Sequence, residues 1–199
     1  MILIILLNII SLVFQPDNGR DIINAIQNKF VTIDNLESDF VQESSTNEQI
    51  SNFHGKFYYK KGGKFRIELP ANEIISDGGK IWNYDLANKR VIISPVTNDP
   101  LSFSLERFVL EYPDKCTVSV VKNTSDEKII KLVPVDDFLG FNSAKISVDK
   151  DYVVNRIEIE DYTGSYFSFS LRNIKINGEL SDDLFTLNPP EGTEIIDLR

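Results

Sequence analysis

The chain contains one cysteine, Cys116, and one histidine, His54. A lone cysteine can close no intramolecular disulfide. Cys116 sits in a strand pattern, where it reads as a small buried residue, and it lies too far from the N-terminus to be the lipid-modified first residue of a mature lipoprotein. A Ser-His-Asp or Cys-His centre would have to be built on His54, which alternates onto the strand face opposite Phe53 and Phe57 and is predicted to face solvent. Zinc prefers several nitrogen and sulfur ligands, so no metal and no cofactor are expected. Glycine-rich phosphate loops are missing too: Gly62-Gly63 and Gly78-Gly79 both fall between strands, where they serve hairpin turns. Positive charge is in deficit, with 21 Lys and Arg against 30 Asp and Glu for a net −9, so nothing favours a phosphate backbone and nucleic acid is not an expected partner. The carboxylate pairs Asp136-Asp137 and Asp182-Asp183 lie in polar, turn-like segments. No nucleophile and base can be assembled, and an enzyme is not expected.

What is present begins with Met1 to Phe14, an uncharged apolar stretch ended by Gln15-Pro16-Asp17-Asn18-Gly19. It has the length of a signal-peptide core and falls short of the roughly 20 residues a membrane span requires. No Lys or Arg precedes it and no Ala-x-Ala site follows. Residues 1–16 are therefore expected to be a signal peptide or an uncleaved N-terminal anchor, with residues 17–199 forming one domain outside the cytoplasm. That length is sufficient for a core without disulfides.

Within Asp21 to Ile33, Ile22, Ile23, Ile26 and Phe30 recur at helical spacing. From Leu36 onward the period becomes two. Phe53, Gly55, Phe57 and Tyr59 alternate with His54, Lys56, Tyr58 and Lys60; Phe65, Ile67 and Leu69 alternate with Lys64, Arg66 and Glu68. Further strands are predicted around Ile74-Ile75, Ile81 to Tyr84, Arg90 to Ser94, Cys116 to Lys122, Lys128 to Val133, Ala144 to Val148, Val153 to Glu160 and Ser165 to Ile176. A second helix interrupts them at LSFSLERFVLEY, with Asp99 as N-cap, Pro100 in the first turn, and Leu101, Leu105, Phe108 and Val109 on one face. One antiparallel sheet with two or three helices accounts for these patterns. Several strands carry aromatics on successive same-face positions, as in Phe53/Phe57/Tyr59 and Phe167/Phe169. Such a face on a curved sheet either packs as an ordinary core or encloses an apolar ligand.

The order helix, Phe40-x-Gln42, GKFYYKKGGKFRIEL (Gly55 to Leu69), IISDGGKIWNYDLANKRV (Ile74 to Val91) and a closing FTLNPPEG (Phe185 to Gly192) resembles the LolA family of periplasmic outer-membrane lipoprotein carriers. The resemblance implies a mainly β (α+β) fold, an incomplete, strongly curved antiparallel β-barrel with two or three helices forming a lid over an apolar cavity. It implies that acyl chains of lipoproteins enter that cavity. The expected acyl-binding set begins with Phe40, Phe53, Phe57, Tyr59 and Phe65 on the first strands. Leu101, Leu105 and Phe108 join it from the lid helix, Phe167 and Phe169 from the last long strand, and Trp82 and Tyr84 from a middle strand. For Trp82 and Tyr84 a core pair and a cavity lining are both open. Lys61, in Lys60-Lys61-Gly62-Gly63, occupies the family's lid-latch position, where lysine keeps the charge but loses the planar donor fork of arginine. Implied partners are acylated lipoproteins, an inner-membrane lipoprotein-releasing ABC transporter and an outer-membrane acceptor protein or the membrane itself, for a monomeric carrier. The alternative is a lipid- or lipoprotein-sensing regulatory module of the same fold.

Overall fold

A computed structural model of the chain describes residues 18–46, 49–96 and 104–199. The apolar leader with its expected boundary, the Asp99-Pro100 helix start and Leu101 lie outside the described residues. Among the described residues no helix is long and apolar enough to cross a membrane.

Helix α1 spans Asn18–Phe30, with Asp21 in its first turn and Lys29 in its last, each matching the sign of the helix dipole at its end. Ile22, Ile23, Ile26 and Phe30 are all buried, as the spacing predicts. The helix stops earlier than the periodic segment because β-branched Val31, Thr32 and Ile33 tighten into a turn. There the Thr32 amide donates to the Lys29 carbonyl (3.1 Å) and the Ile33 amide to that of Phe30 (2.9 Å).

Among the described residues, twelve strands form one sheet. β1 (Asn35–Thr46) and β2 (Gln49–Lys60) make a long hairpin, in register from Asn35 opposite Lys60 to Thr46 opposite Gln49. Then come β3 (Lys64–Glu68), β4 (Asn72–Asp77), β5 (Lys80–Asp85) and β6 (Arg90–Pro95) as a meander. A second meander runs through β7 (Cys116–Asn123), β8 (Glu127–Pro134), β9 (Ser143–Asp149), β10 (Val154–Glu160) and β11 (Tyr166–Ile176). β11 returns to pair antiparallel with β1 and so joins the two halves. The resulting order is β12-β6-β5-β4-β3-β2-β1-β11-β10-β9-β8-β7. It is an open, curled antiparallel sheet with one parallel addition, the short β12 (Glu194–Asp197) beside β6.

Two hairpin turns at one end of the sheet pack against each other. Gly62 and Gly63 adopt positive φ (95° and 75°), and so does Gly78 (93°) between β4 and β5. A Cβ on Gly78 would lie 2.4 Å from the Gly62 carbonyl oxygen, so the two turns stack backbone to backbone and only glycine fits.

The second helical segment departs from regular α-helix within its described residues. Within the described residues it comprises a helical start at Leu105 and Glu106, a π-helical turn at Arg107–Glu111 and a 3-10 turn at Tyr112–Lys115. Pro113 lacks the amide that would continue the helix, and the chain passes into β7. Leu105, Phe108 and Val109 of the predicted apolar face are buried, and Tyr112 is buried beside them.

Candidate functional site

The inward face of the sheet carries one continuous apolar interior, covered by α1 and the second helical segment. Leu36 and Phe40 of β1, Phe57 and Tyr59 of β2, Phe65 and Ile67 of β3, and Phe169 and Leu171 of β11 share a single cluster with Ile22, Ile26, Phe30, Leu105 and Phe108 from above. The rings pair within it: Phe30 with Tyr59 at 5.3 Å between centroids, and Phe40 with Phe57 at 6.1 Å and with Phe169 at 6.0 Å. Phe40 lies opposite Gly55, where a Cβ would sit 1.8 Å from the Glu68 carbonyl oxygen. The gap at Gly55 leaves the inward row of β2 without a side chain between Phe53 and Phe57. On the helical side Phe108 meets Tyr112 edge to face at 4.9 Å and Phe141 at 5.9 Å. The same-face aromatics predicted from the sequence therefore pack on one another beneath the helices.

Clefts remain at both ends of this interior. One, about 260 Å³, is lined by Gln42, Phe53, Leu69, Ala71, Asn72 and Ile74; Leu69 and Ile74 also pack against the main core, so the cleft is continuous with it. Phe53 is 42% exposed there, beyond the reach of the helices, while Phe57, four residues along on the same face, is fully buried. The other cleft, about 360 Å³, opens between the stacked glycine turns and the second helical segment, bordered by Gly62, Gly63, Phe65, Gly78, Val96 and Glu106. Both lie near the lower end of the volumes that ligand pockets occupy. Phe167, half-buried, packs at the margin of the main cluster.

Trp82 and Tyr84 correct one expectation. On β5 it is Ile81 that points into the main interior; Trp82 and Tyr84 point the other way and form a separate cluster with Ile75 and Val91, against which Leu187 of the C-terminal segment packs. Alternation put the pair on one face correctly, but the other face of β5 carries Asn83 and Asp85 beside Ile81, so the bulkier apolar pair read as the inward one. They form a core pair on the outer side of the sheet and do not line the interior.

Lys61 is exposed. Its Nζ donates to the Val31 carbonyl at 3.2 Å and stands 3.9 Å from the Asp34 carboxylate, so it fastens the turn that follows α1. The second helical segment is held by residues that sequence reasoning did not single out. Arg20 on α1 donates from its two terminal nitrogens to the Pro113 carbonyl (2.8 Å) and the Cys116 carbonyl (3.1 Å). Gln27, also on α1, donates to the Val109 carbonyl at 3.1 Å. From the segment itself, the Glu106 carboxylate accepts the Gly63 amide at 2.9 Å and the Tyr59 hydroxyl at 3.2 Å. Burial, reinforced by the Glu106 charge, holds the Tyr59 phenol above its ordinary pKa. Glu106 is one of several polar residues in LSFSLERFVLEY, so no signal in the sequence singled out this clasp.

The remaining chemistry is quiet. His54 is exposed on the outer face, as predicted. Cys116 is buried, and burial pushes its thiol up to about 11, which leaves it protonated and unreactive at neutral pH. Among the described residues no group of His, Cys, Asp and Glu is arranged to hold a metal.

A curled antiparallel sheet with an aromatic interior under two clasped helical segments defines the fold class. Comparison with known proteins places it more narrowly. Residues 31–188 match the family model described as outer membrane lipoprotein carrier protein LolA, and the chain belongs to that family. It is 28% identical over 173 residues to an outer-membrane lipoprotein carrier protein of Methylococcus capsulatus, covering 81% of each chain. With the corresponding protein of Haemophilus influenzae it shares 27% identity over 188 residues, covering 90% of this chain and 88% of the relative. Among solved structures, an uncharacterized conserved protein of Thermus thermophilus is similar in fold, with TM-score 0.59 at 11% identity over 90% of this chain and 99% of that one. MucB is similar in fold as well, with TM-score 0.52 at 11% identity over 86% of this chain and 63% of that one.

Proposed function

We propose that the protein is a periplasmic carrier that takes the acyl chains of lipoproteins into its apolar interior and moves them from the inner to the outer membrane, without covalent chemistry. The observation that carries this reading is the continuous aromatic interior of Phe40, Phe57, Phe65 and Phe169, open to solvent through Phe53 and covered by helical segments that a few polar bonds hold in place. Each buried CH₂ contributes about 0.8 kcal/mol, so an acyl chain has ample reason to enter once the covering segments move aside. The side chains that fill the interior in the closed form would line it around the cargo. Phe40, Phe53, Phe57, Tyr59, Phe65, Leu105, Phe108, Phe167 and Phe169 are the acyl-contacting set, with Leu101 joining from the adjoining segment. Residues 1–16 act as export signal or anchor and 17–199 as the carrier domain. An inner-membrane lipoprotein-releasing transporter supplies the cargo, and an outer-membrane acceptor or the membrane itself receives it.

The test is transfer. The mature protein, loaded with a fluorescent acylated peptide, is mixed with acceptor vesicles, and mass spectrometry identifies what co-purifies with it from its native envelope. Acylated protein in the purified material and saturable transfer support the reading; no acylated material and no binding of the peptide would overturn it.

A further inference from the structure

One buried polar group on the inward face has no partner. Ser38 is only 1% exposed, and its Oγ makes no hydrogen bond among the described residues. Four other buried serines differ in this respect: Ser76 donates to the Gly63 carbonyl, Ser143 bonds Glu160, Ser165 bonds Thr163 and Ser168 accepts from Arg156. By alternation Ser38 shares its face with Leu36 and Phe40, both in the main interior, and it stands opposite Phe57 on β2. On its other side the ladder is broken. Between the pairs Glu37/Lys175 and Asp39/Arg172, β11 carries an extra residue, and Asn173 takes positive φ (52°). A bulge of this kind re-aims the strand and is common beside functional sites.

A buried hydroxyl left unpaired is destabilising, and such a group in a native structure calls for an explanation. We infer that Ser38 Oγ donates to a carbonyl at the head of an acyl chain held in the interior. This inference rests on the carrier reading and adds to it the functional group recognised: an acyl carbonyl, as opposed to bare hydrocarbon. Hydrocarbon gives no directional contact, so a wall of aromatics alone would let a chain slide; one hydroxyl amid the rings would fix how deep the chain sits. Cargo would thereby satisfy a group that the closed, empty form leaves unsatisfied, which offsets part of the cost of displacing the packed rings.

Two fluorescent peptides test this, one with two ester-linked acyl chains and one with two ether-linked alkyl chains of equal length, each titrated into wild type and Ser38→Ala. The wild type should prefer the ester peptide. In Ser38→Ala, affinity for the ester peptide should fall by about threefold to tenfold, the worth of one neutral hydrogen bond. Affinity for the ether peptide should stay unchanged, and thermal stability of the empty protein should hold or rise. Ser38→Thr, which keeps the hydroxyl, should retain the ester preference. Equal ester-to-ether ratios in wild type and Ser38→Ala would overturn the role of Ser38 while leaving the carrier reading intact. Failure of the wild type to bind either peptide would overturn both.

Discussion

The carboxylate of Glu106 accepts the backbone amide of Gly63 at 2.9 Å, tying the second helical segment to the turn between β2 and β3. A hydrogen bond to a charged acceptor contributes about 1.5–3 kcal/mol, and the Tyr59 hydroxyl adds a second donor to the same oxygen. Glu106→Ala should therefore loosen the cover over the interior more than it harms the sheet. The expected result is faster transfer of an acylated peptide to vesicles and faster hydrogen exchange at the Gly63 amide. Lys61→Leu, which removes one exposed bond to the Val31 carbonyl, should change stability by no more than about 0.5 kcal/mol and speed transfer less than Glu106→Ala does. A larger effect at Lys61 than at Glu106 would reverse this ranking of the two fasteners.

Arg20 reaches from α1 to the Pro113 carbonyl at the end of the second helical segment and to the Cys116 carbonyl at the start of β7, so this fork ties the two covering elements together. Lysine can supply charge but not two donors in fixed geometry. Arg20→Lys should lower stability by about 1 kcal/mol and Arg20→Ala by about 1–2 kcal/mol in chemical denaturation. Both should also shorten the lifetime of bound cargo. Unchanged cargo dissociation in Arg20→Ala would show that the segment opens independently of α1.

The strands and the first helix were legible because their burial is one-sided, so that alternation and the Ile22/Ile26/Phe30 spacing report directly which residues face the core. Three things were not. β12 is four residues long and pairs with β6, a partner far away in sequence, so no local turn signal announces it. Trp82 and Tyr84 lie on a strand that contributes to two clusters, Ile81 to one and the pair to the other, and period two says which residues go together but not which way they point. The clasp around Glu106 depends on the stacking of the Gly62 and Gly78 turns, a tertiary contact between two hairpins. The Lys61 position was visible from family resemblance alone, and its bond to the end of α1 required coordinates.

Cys116 gives the alkaline side of the stability curve a specific cause. Its thiol is raised from an ordinary 9 to about 11 by burial, so the folded state holds that proton more tightly than the unfolded chain. The corresponding stability is fully present below about pH 9 and is lost as pH rises through about 11, a change on the order of 2 kcal/mol. Denaturation curves from pH 8 to 11 should show this decline, and Cys116→Ala should decline less steeply over the same interval. In the native protein near pH 8 the thiol should resist alkylation and become reactive only on unfolding. Rapid alkylation of the folded protein would mean that the end of the second helical segment opens far more readily than its bonds to Arg20 suggest.

Phe53 and Trp82 separate binding from folding most cleanly, because they sit on different strands, on opposite faces and at opposite extremes of burial. Phe53 stands 42% exposed at the mouth of the cleft with Gln42, Leu69 and Ile74, where truncation removes little that folding needs. Trp82 is 6% exposed and packed with Ile75, Tyr84 and Val91 on the outer side of the sheet. Phe53→Ala should thus weaken binding of an acylated peptide severalfold while stability moves by less than about 1 kcal/mol. Trp82→Ala should cost about 3–5 kcal/mol of stability, and the fraction that remains folded should bind the peptide as wild type does. Paired denaturation and binding titrations on the two variants decide the matter. If Trp82→Ala loses affinity per folded molecule and Phe53→Ala does not, acyl chains lie against the outer cluster, and the inward face is only a core.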